Sequence, residues 1–249
     1  MSLSYTYHKL ALLLCTSMSW LSFCSCDDGA VEEKLQPSTS TDTYTICFRS
    51  NIQGLNTWSG QYTVALACFA PDNDYAEIQK TLHGSDDDEK RDSIILAGVS
   101  ASASTVDIAI VSPLRKRIAT LFSFTLPDVC QTEDTVFVDA GIIDASMFSS
   151  INRCVFQDNN CSRCHSGSSP AAELNLSPDV AYTNLVNVRS YKSPSSLRVQ
   201  PGNADSSYLY RIITDENIDS HYAHTGLFTD APQQAFIEII KSWINAGAK

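Results

Sequence analysis

Between positions 44 and 145 the chain passes through six short apolar-rich runs, some alternating with polar residues and some continuous, at 44–48, 62–69, 94–96, 106–111, 118–124 and 136–138. Period-two alternation puts one set of side chains on each face of an extended strand. Turn-forming stretches separate the runs, among them Pro71-Asp72-Asn73-Asp74 and Ser112-Pro113-Leu114-Arg115-Lys116-Arg117. Strands of this length and spacing predict an all-β antiparallel sandwich of immunoglobulin size over residues 44–147. Asp86-Asp87-Asp88-Glu89 lacks the alternating ligands and glycine of an EF-hand loop and reads as a solvated loop. Arg115-Lys116-Arg117 reads as an exposed hairpin turn that blunts edge pairing.

The pattern changes after position 147. Cys161-Ser162-Arg163-Cys164-His165 is a C-x-x-C-H run. Its two thiols can add to the two vinyl groups of one haem, and the adjacent imidazole can bind the iron from one face. A zinc site would need two further ligands at matching spacing. No second C-x-x-C exists, and His221 with His224 leaves only a scattered Cys2His2 set. A thioredoxin-like redox pair would need a strand ahead of the motif, whereas 149–160 reads as a helix entry. The expected cofactor is one covalently attached haem c on Cys161, Cys164 and His165. Further on, Thr229 or Asp230 caps a predicted helix with Pro232 in its first turn. Phe236, Ile240, Trp243 and Ile244 form its apolar stripe, and Gly247 is placed to end it.

The N-terminus reads as an export signal. Lys9 precedes an apolar run through Phe23 that is too short to favour a permanent membrane span. Ser22-Phe23-Cys24-Ser25-Cys26-Asp27-Asp28 resembles a lipobox, with Cys26 the expected lipidated residue because small Ser25 precedes it; Cys24 is the reserve. Residues 1–25 are then a lipoprotein signal peptide and 26–43 a flexible Ser/Thr/Glu-rich tether. Of the nine cysteines, two leave with the signal, one is lipidated and two hold haem. Cys47, Cys68, Cys130 and Cys154 remain, an even set in an oxidising compartment. The expected disulfides, Cys47 with Cys68 and Cys130 with Cys154, join the pairs closest in sequence. The formal charge of −11 becomes −12 once Lys9 is removed, 16 basic against 28 acidic residues. Such a surface argues against nucleic acid and suits a basic redox partner.

Four segments beyond the sandwich carry a family resemblance: Phe156 to Gly167 around the C-x-x-C-H run, Leu174-Asn175-Leu176-Ser177, Val199 to Tyr210, and Phe236 to Ala248. Together they look like the small cytochrome c domains of the planctomycete-type family, over about two fifths of the chain. The resemblance implies a multidomain chain, with an all-α cytochrome c-like domain at 148–249 following the sandwich. It also implies that the last helix crosses the helix ahead of the motif, at Ile151, Val155 and Phe156. Family members place a Met-Pro segment before the last helix, its sulfur on the sixth iron position. Here methionine occurs only at positions 1, 18 and 147. Asp219-Ser220-His221-Tyr222-Ala223-His224 stands in its place, and His221 falls where the methionine would be. The iron is therefore expected to be bis-His through His165 and His221, with His224 the reserve, and of lower potential than a Met-ligated haem. Arg198 is the expected partner of a haem propionate.

These readings converge on a membrane-anchored mono-haem c-type cytochrome, an electron-transfer protein and not an enzyme, working with redox proteins of a Gram-negative cell envelope. The expected location is the outer membrane, facing the periplasm or the surface. Two other classes remain open at this level: a peroxidase-like haem enzyme or gas sensor with an open sixth site, and a non-redox surface binding protein that uses the sandwich.

Overall fold

Extended backbone forms where alternation places it. The strands are β1 (Thr43–Gln53), β2 (Thr63–Phe69), β3 (Ile78–Thr81), β4 (Asp92–Ser100), β5 (Thr105–Val111), β6 (Arg117–Thr125) and β7 (Thr135–Asp144). The structure, a computed structural model, describes residues 43–84, 92–127, 135–215, 217–218 and 222–249. The signal segment, Cys24, Cys26, the tether up to position 42, Asp86-Asp87-Asp88-Glu89, Cys130 and His221 lie outside the described residues. One sheet has the order β4-β1-β7 and the other β3-β2-β5-β6. Every pairing is antiparallel except β1 with β7, which run parallel.

The inner faces share one apolar core. Tyr44, Ile46 and Phe48 of β1 lie against Val64 and Leu66 of β2, Val106, Ile108 and Ile110 of β5, and Val138 of β7 in a single buried cluster. Phe48 and Phe122 meet edge to face at 5.7 Å between the two sheets. β2 and β5 are also buried on their outer face, where Ala65, Ala67, Phe69, Ala109 and Val111 form a second cluster. The turn is exposed at Leu114 and Arg115, as expected, while Arg117 at its end contributes to this cover. The Arg117 guanidinium stacks 4.3 Å from the Phe69 ring centre and donates to buried Asp107 at 2.9 Å. Arg115, at a left-handed φ of 63°, donates to the Ala76 and Glu77 carbonyls.

The last hundred residues correct the expected fold class. They form α1 (Met147–Ile151), running on as a π-helical turn over Asn152–Gln157, then α2 (Ala181–Leu185), α3 (Tyr208–Thr214) and α4 (Ala231–Asn245). Only α4 exceeds seven residues among the described helices, and the rest of this stretch is largely loop and turn. An all-α cytochrome c-like domain is not what forms. Among the described residues the structure is mostly β, seven strands in two sheets, with short helices added. The physical reason lies in the core: helices this short cannot enclose one among themselves. Ile151, Phe156, Phe236, Ile240 and Trp243 instead join the same buried cluster as the sandwich interior. Thr41–Lys249 is accordingly one compact unit.

Hydrogen bonds fix this union at the root of α1. The Trp58 Nε1–H donates to the Ala145 carbonyl at 2.6 Å, the Ala145 N–H to the Gln53 carbonyl at 2.9 Å, and the Met147 N–H to Thr57 Oγ1 at 2.8 Å. Gly54 is required here, with φ at 75° and a Cβ that would lie 2.4 Å from that of Ser146. Ser146 caps α1, its Oγ accepting from the Ser149 N–H. Arg153 then reaches back to the Thr120 and Leu121 carbonyls of β6. At the other end Asp230 caps α4 by accepting from the Gln233 N–H at 2.8 Å, and Phe236, Ile239, Ile240, Trp243 and Ile244 are buried. No described helix is long and apolar enough to cross a membrane.

Candidate haem-binding site

The C-x-x-C-H segment follows the π-helical turn. Asn160 takes a left-handed φ of 61° and starts a 3-10 turn over Cys161–Arg163. The Cys161 carbonyl accepts from both the Cys164 N–H at 3.3 Å and the His165 N–H at 3.1 Å. One tight turn therefore gathers both thiols and the imidazole. Cys161 is half-buried against the core, Cys164 is exposed, and both are free thiols. Burial pushes the Cys161 thiol up to about 11, with Cys164 adding to the shift. A dithiol oxidoreductase needs the opposite, a thiol pKa lowered toward neutrality.

His165 is held from one nitrogen. Its Nδ1 pairs with the Ala171 carbonyl at 3.0 Å, which fixes the ring's orientation. Ala171 belongs to a turn whose next two residues, Ala172 and Glu173, both have left-handed φ, at 53° and 54°. Such a conformation costs about 1–2 kcal/mol for each residue with a Cβ, so the turn needs support. Arg198 supplies it. The guanidinium donates to the carbonyls of Asn184 at 2.8 Å, Ala172 at 3.3 Å and Glu173 at 3.0 Å. The buried Arg198 is thus engaged with backbone and acts as a positioning residue for the His165 loop. Arg198→Ala should lower stability by about 2–3 kcal/mol through the unpaired carbonyls, with Arg198→Lys recovering part of the loss in urea unfolding. A loss under about 0.5 kcal/mol, within the range of ordinary surface changes, would show that the loop stands without its clamp.

Opposite His165 lies His224, at the start of a 3-10 turn over His224–Leu227. The two ring centres are 6.2 Å apart and the rings are tilted by 35°. His224 Nδ1 is buried without a hydrogen-bond partner. Burial holds both histidines below the usual range. For His165 the Ala171 and Leu174 backbone opposes the shift and Arg198 adds to it; for His224 the His165 ring adds and the Tyr222 backbone opposes. Both shifts favour the neutral imidazole, the form that binds a metal. Asn159 ties the two sides together. Its Nδ2 donates to the Leu227 carbonyl at 3.2 Å and to Gln233 Oε1 at 3.1 Å. Sequence reasoning passed over Asn159, an amide two positions before the motif with no pattern to mark its role.

The donor set suits a haem better than a bare metal ion. Among the described residues no three His, Cys, Asp or Glu side chains converge to hold an ion, so the dithiol and the two imidazoles do not form a four-ligand cage. A haem asks for less: two thiols at the porphyrin edge and one or two axial imidazoles. The other expected residues lie apart from this site. Cys47 and Cys68 are free thiols on different sheets. Cys47 alternates outward between buried Ile46 and Phe48, while Cys68 belongs to the buried core, so their expected disulfide is not formed. Burial pushes the Cys68 thiol up to about 12. Cys154 is a buried free thiol in the π-helical turn, and its expected partner, Cys130, is outside the described residues.

Comparison of the chain with protein-family models, with curated proteins and with solved structures finds no match. The resemblance to planctomycete-type cytochrome c domains therefore rests on the motifs alone.

Proposed function

We propose that this chain carries one covalently attached haem c on Cys161, Cys164 and His165 and transfers single electrons in a bacterial cell envelope. The observation that carries the reading is the turn itself, which gathers two free thiols and an imidazole oriented through Nδ1. Once bound, the haem supplies a one-electron ferric/ferrous couple. Cys161 and Cys164 fix the porphyrin edge to the chain. The Ala171 carbonyl orients His165 and increases its basicity as a ligand, and Arg198 steadies the loop that carries that carbonyl. His224 beside His165 favours a closed carrier over a peroxidase or gas sensor, which would need the facing side open. The net charge of −12 after signal removal, 16 basic against 28 acidic residues, suits a basic protein partner. Lipidation at Cys26 would tether the unit to a membrane of the envelope.

The test is expression of the full chain with a cytochrome c maturation system, followed by haem staining after denaturing electrophoresis and a spectrum of the reduced form. Haem should stay with the polypeptide, and the reduced spectrum should be that of a low-spin c-type centre. A polypeptide that carries no haem through denaturation would overturn the reading.

A further inference from the structure

Resting on that haem reading, we infer that His224, not His221, supplies the sixth ligand, so that the iron is held between His165 and His224. Geometry carries the assignment. An iron between two imidazoles separates their ring centres by roughly 6 Å, from two metal–nitrogen bonds of about 2 Å and a further ~1.1 Å from each nitrogen to its ring centre. The rings stand 6.2 Å apart. A buried imidazole nitrogen without a partner forfeits hydrogen bonds it would make in water, and His224 Nδ1 is such an atom. A bond to iron satisfies it.

The surrounding chain holds the ring in this position. Tyr222 meets His224 edge to face at 5.4 Å and 80°. Phe228, directly after the turn, is buried in the core, and Asp230 then begins α4. Asn159, two residues ahead of Cys161, bonds the last carbonyl of the His224 turn. One short segment thus sets both the thiols and the spacing of the two imidazoles. Counting along the sequence from a methionine-bearing family could not register this turn, which places His224, the sixth residue of the Asp219-to-His224 stretch, against His165. The resulting closed site would react slowly with carbon monoxide and have a lower potential than a thioether-ligated haem.

The experiment uses the full-length haem-loaded protein and its His221→Ala, His224→Ala and His224→Met variants. The parent and His221→Ala should be six-coordinate and low-spin, and slow to bind carbon monoxide. His224→Ala should become high-spin, bind carbon monoxide readily and return to low-spin on addition of free imidazole. His224→Met should raise the reduction potential and show a sulfur-to-iron charge-transfer band, and it decides the matter if the alanine variant does not accumulate. A low-spin spectrum in His224→Ala, opening of the iron by His221→Ala, or an unmoved potential in His224→Met each overturns the inference while leaving covalent attachment intact. Absence of covalent haem in the parent instead removes the reading on which it rests.

Discussion

Cys161→Ser combined with Cys164→Ser should leave no haem on the polypeptide after denaturation, a complete loss of signal in the staining assay. Denaturant breaks the histidine–iron bonds along with the fold, so only thioethers can carry haem through it. Each single variant should retain one link and a weaker stain. The two sheets should still form, because Cys164 is exposed and Cys161 only half-buried. The cost to the haem-free protein should be within about 1 kcal/mol, with the far-ultraviolet circular dichroism of a β-rich chain retained. Haem that persists through denaturation in the double variant would remove the attachment site from this motif.

Trp243→Ala should produce the largest loss of stability. The side chain is 1% exposed, its Nε1–H donates to the Lys249 carbonyl at 3.0 Å, and its ring lies 5.2 Å from that of Phe148. Truncation of a buried Trp costs about 3–5 kcal/mol, and in a unit of this size that lowers the Tm by roughly 6–20 °C. The shape of the transition matters as much as its position. Helix α4 and the sandwich interior belong to one buried cluster, so calorimetry should show one cooperative transition displaced as a whole. Two transitions, with the upper one unmoved by the substitution, would separate the sheets from the helices and contradict a shared core.

Much of the local structure is legible in the chain, and the failures have definite causes. Short apolar runs, alternating or continuous, mark six of the seven strands among the described residues. They miss β3, where Ile78-Gln79-Lys80-Thr81 has one apolar residue and the strand lies at a sheet edge. The α4 helix can be read from Asp230 at its cap and the stripe from Phe236 to Ile244, because capping and a 3.6-residue period are local. A stripe states that a face is buried, not what buries it. The expected all-α domain fails on that point, since the face closes on a core continuous with two sheets. Arg198 stands out in the sequence, yet its three carbonyl partners lie 14 to 26 positions away. Asn159 and His224 depend likewise on contacts across about sixty positions or more, which no local pattern encodes.

The parallel pairing of β1 with β7 imposes an order in time. Thr45 lies opposite Thr135, so the first strand of the sandwich gains its second neighbour only after the rest of the sandwich has been synthesised. Non-local pairing of this kind closes slowly compared with turns and hairpins. The α1 root at Ala145–Met147, gripped by Gln53, Thr57 and Trp58, follows β7 directly and is seated by the same closure. On the proposed reading, Cys161 and Cys164 would emerge on a strand of chain whose foothold has yet to form. Thioether formation would then meet an extended, accessible segment, and docking of the helices would follow as the final step of maturation.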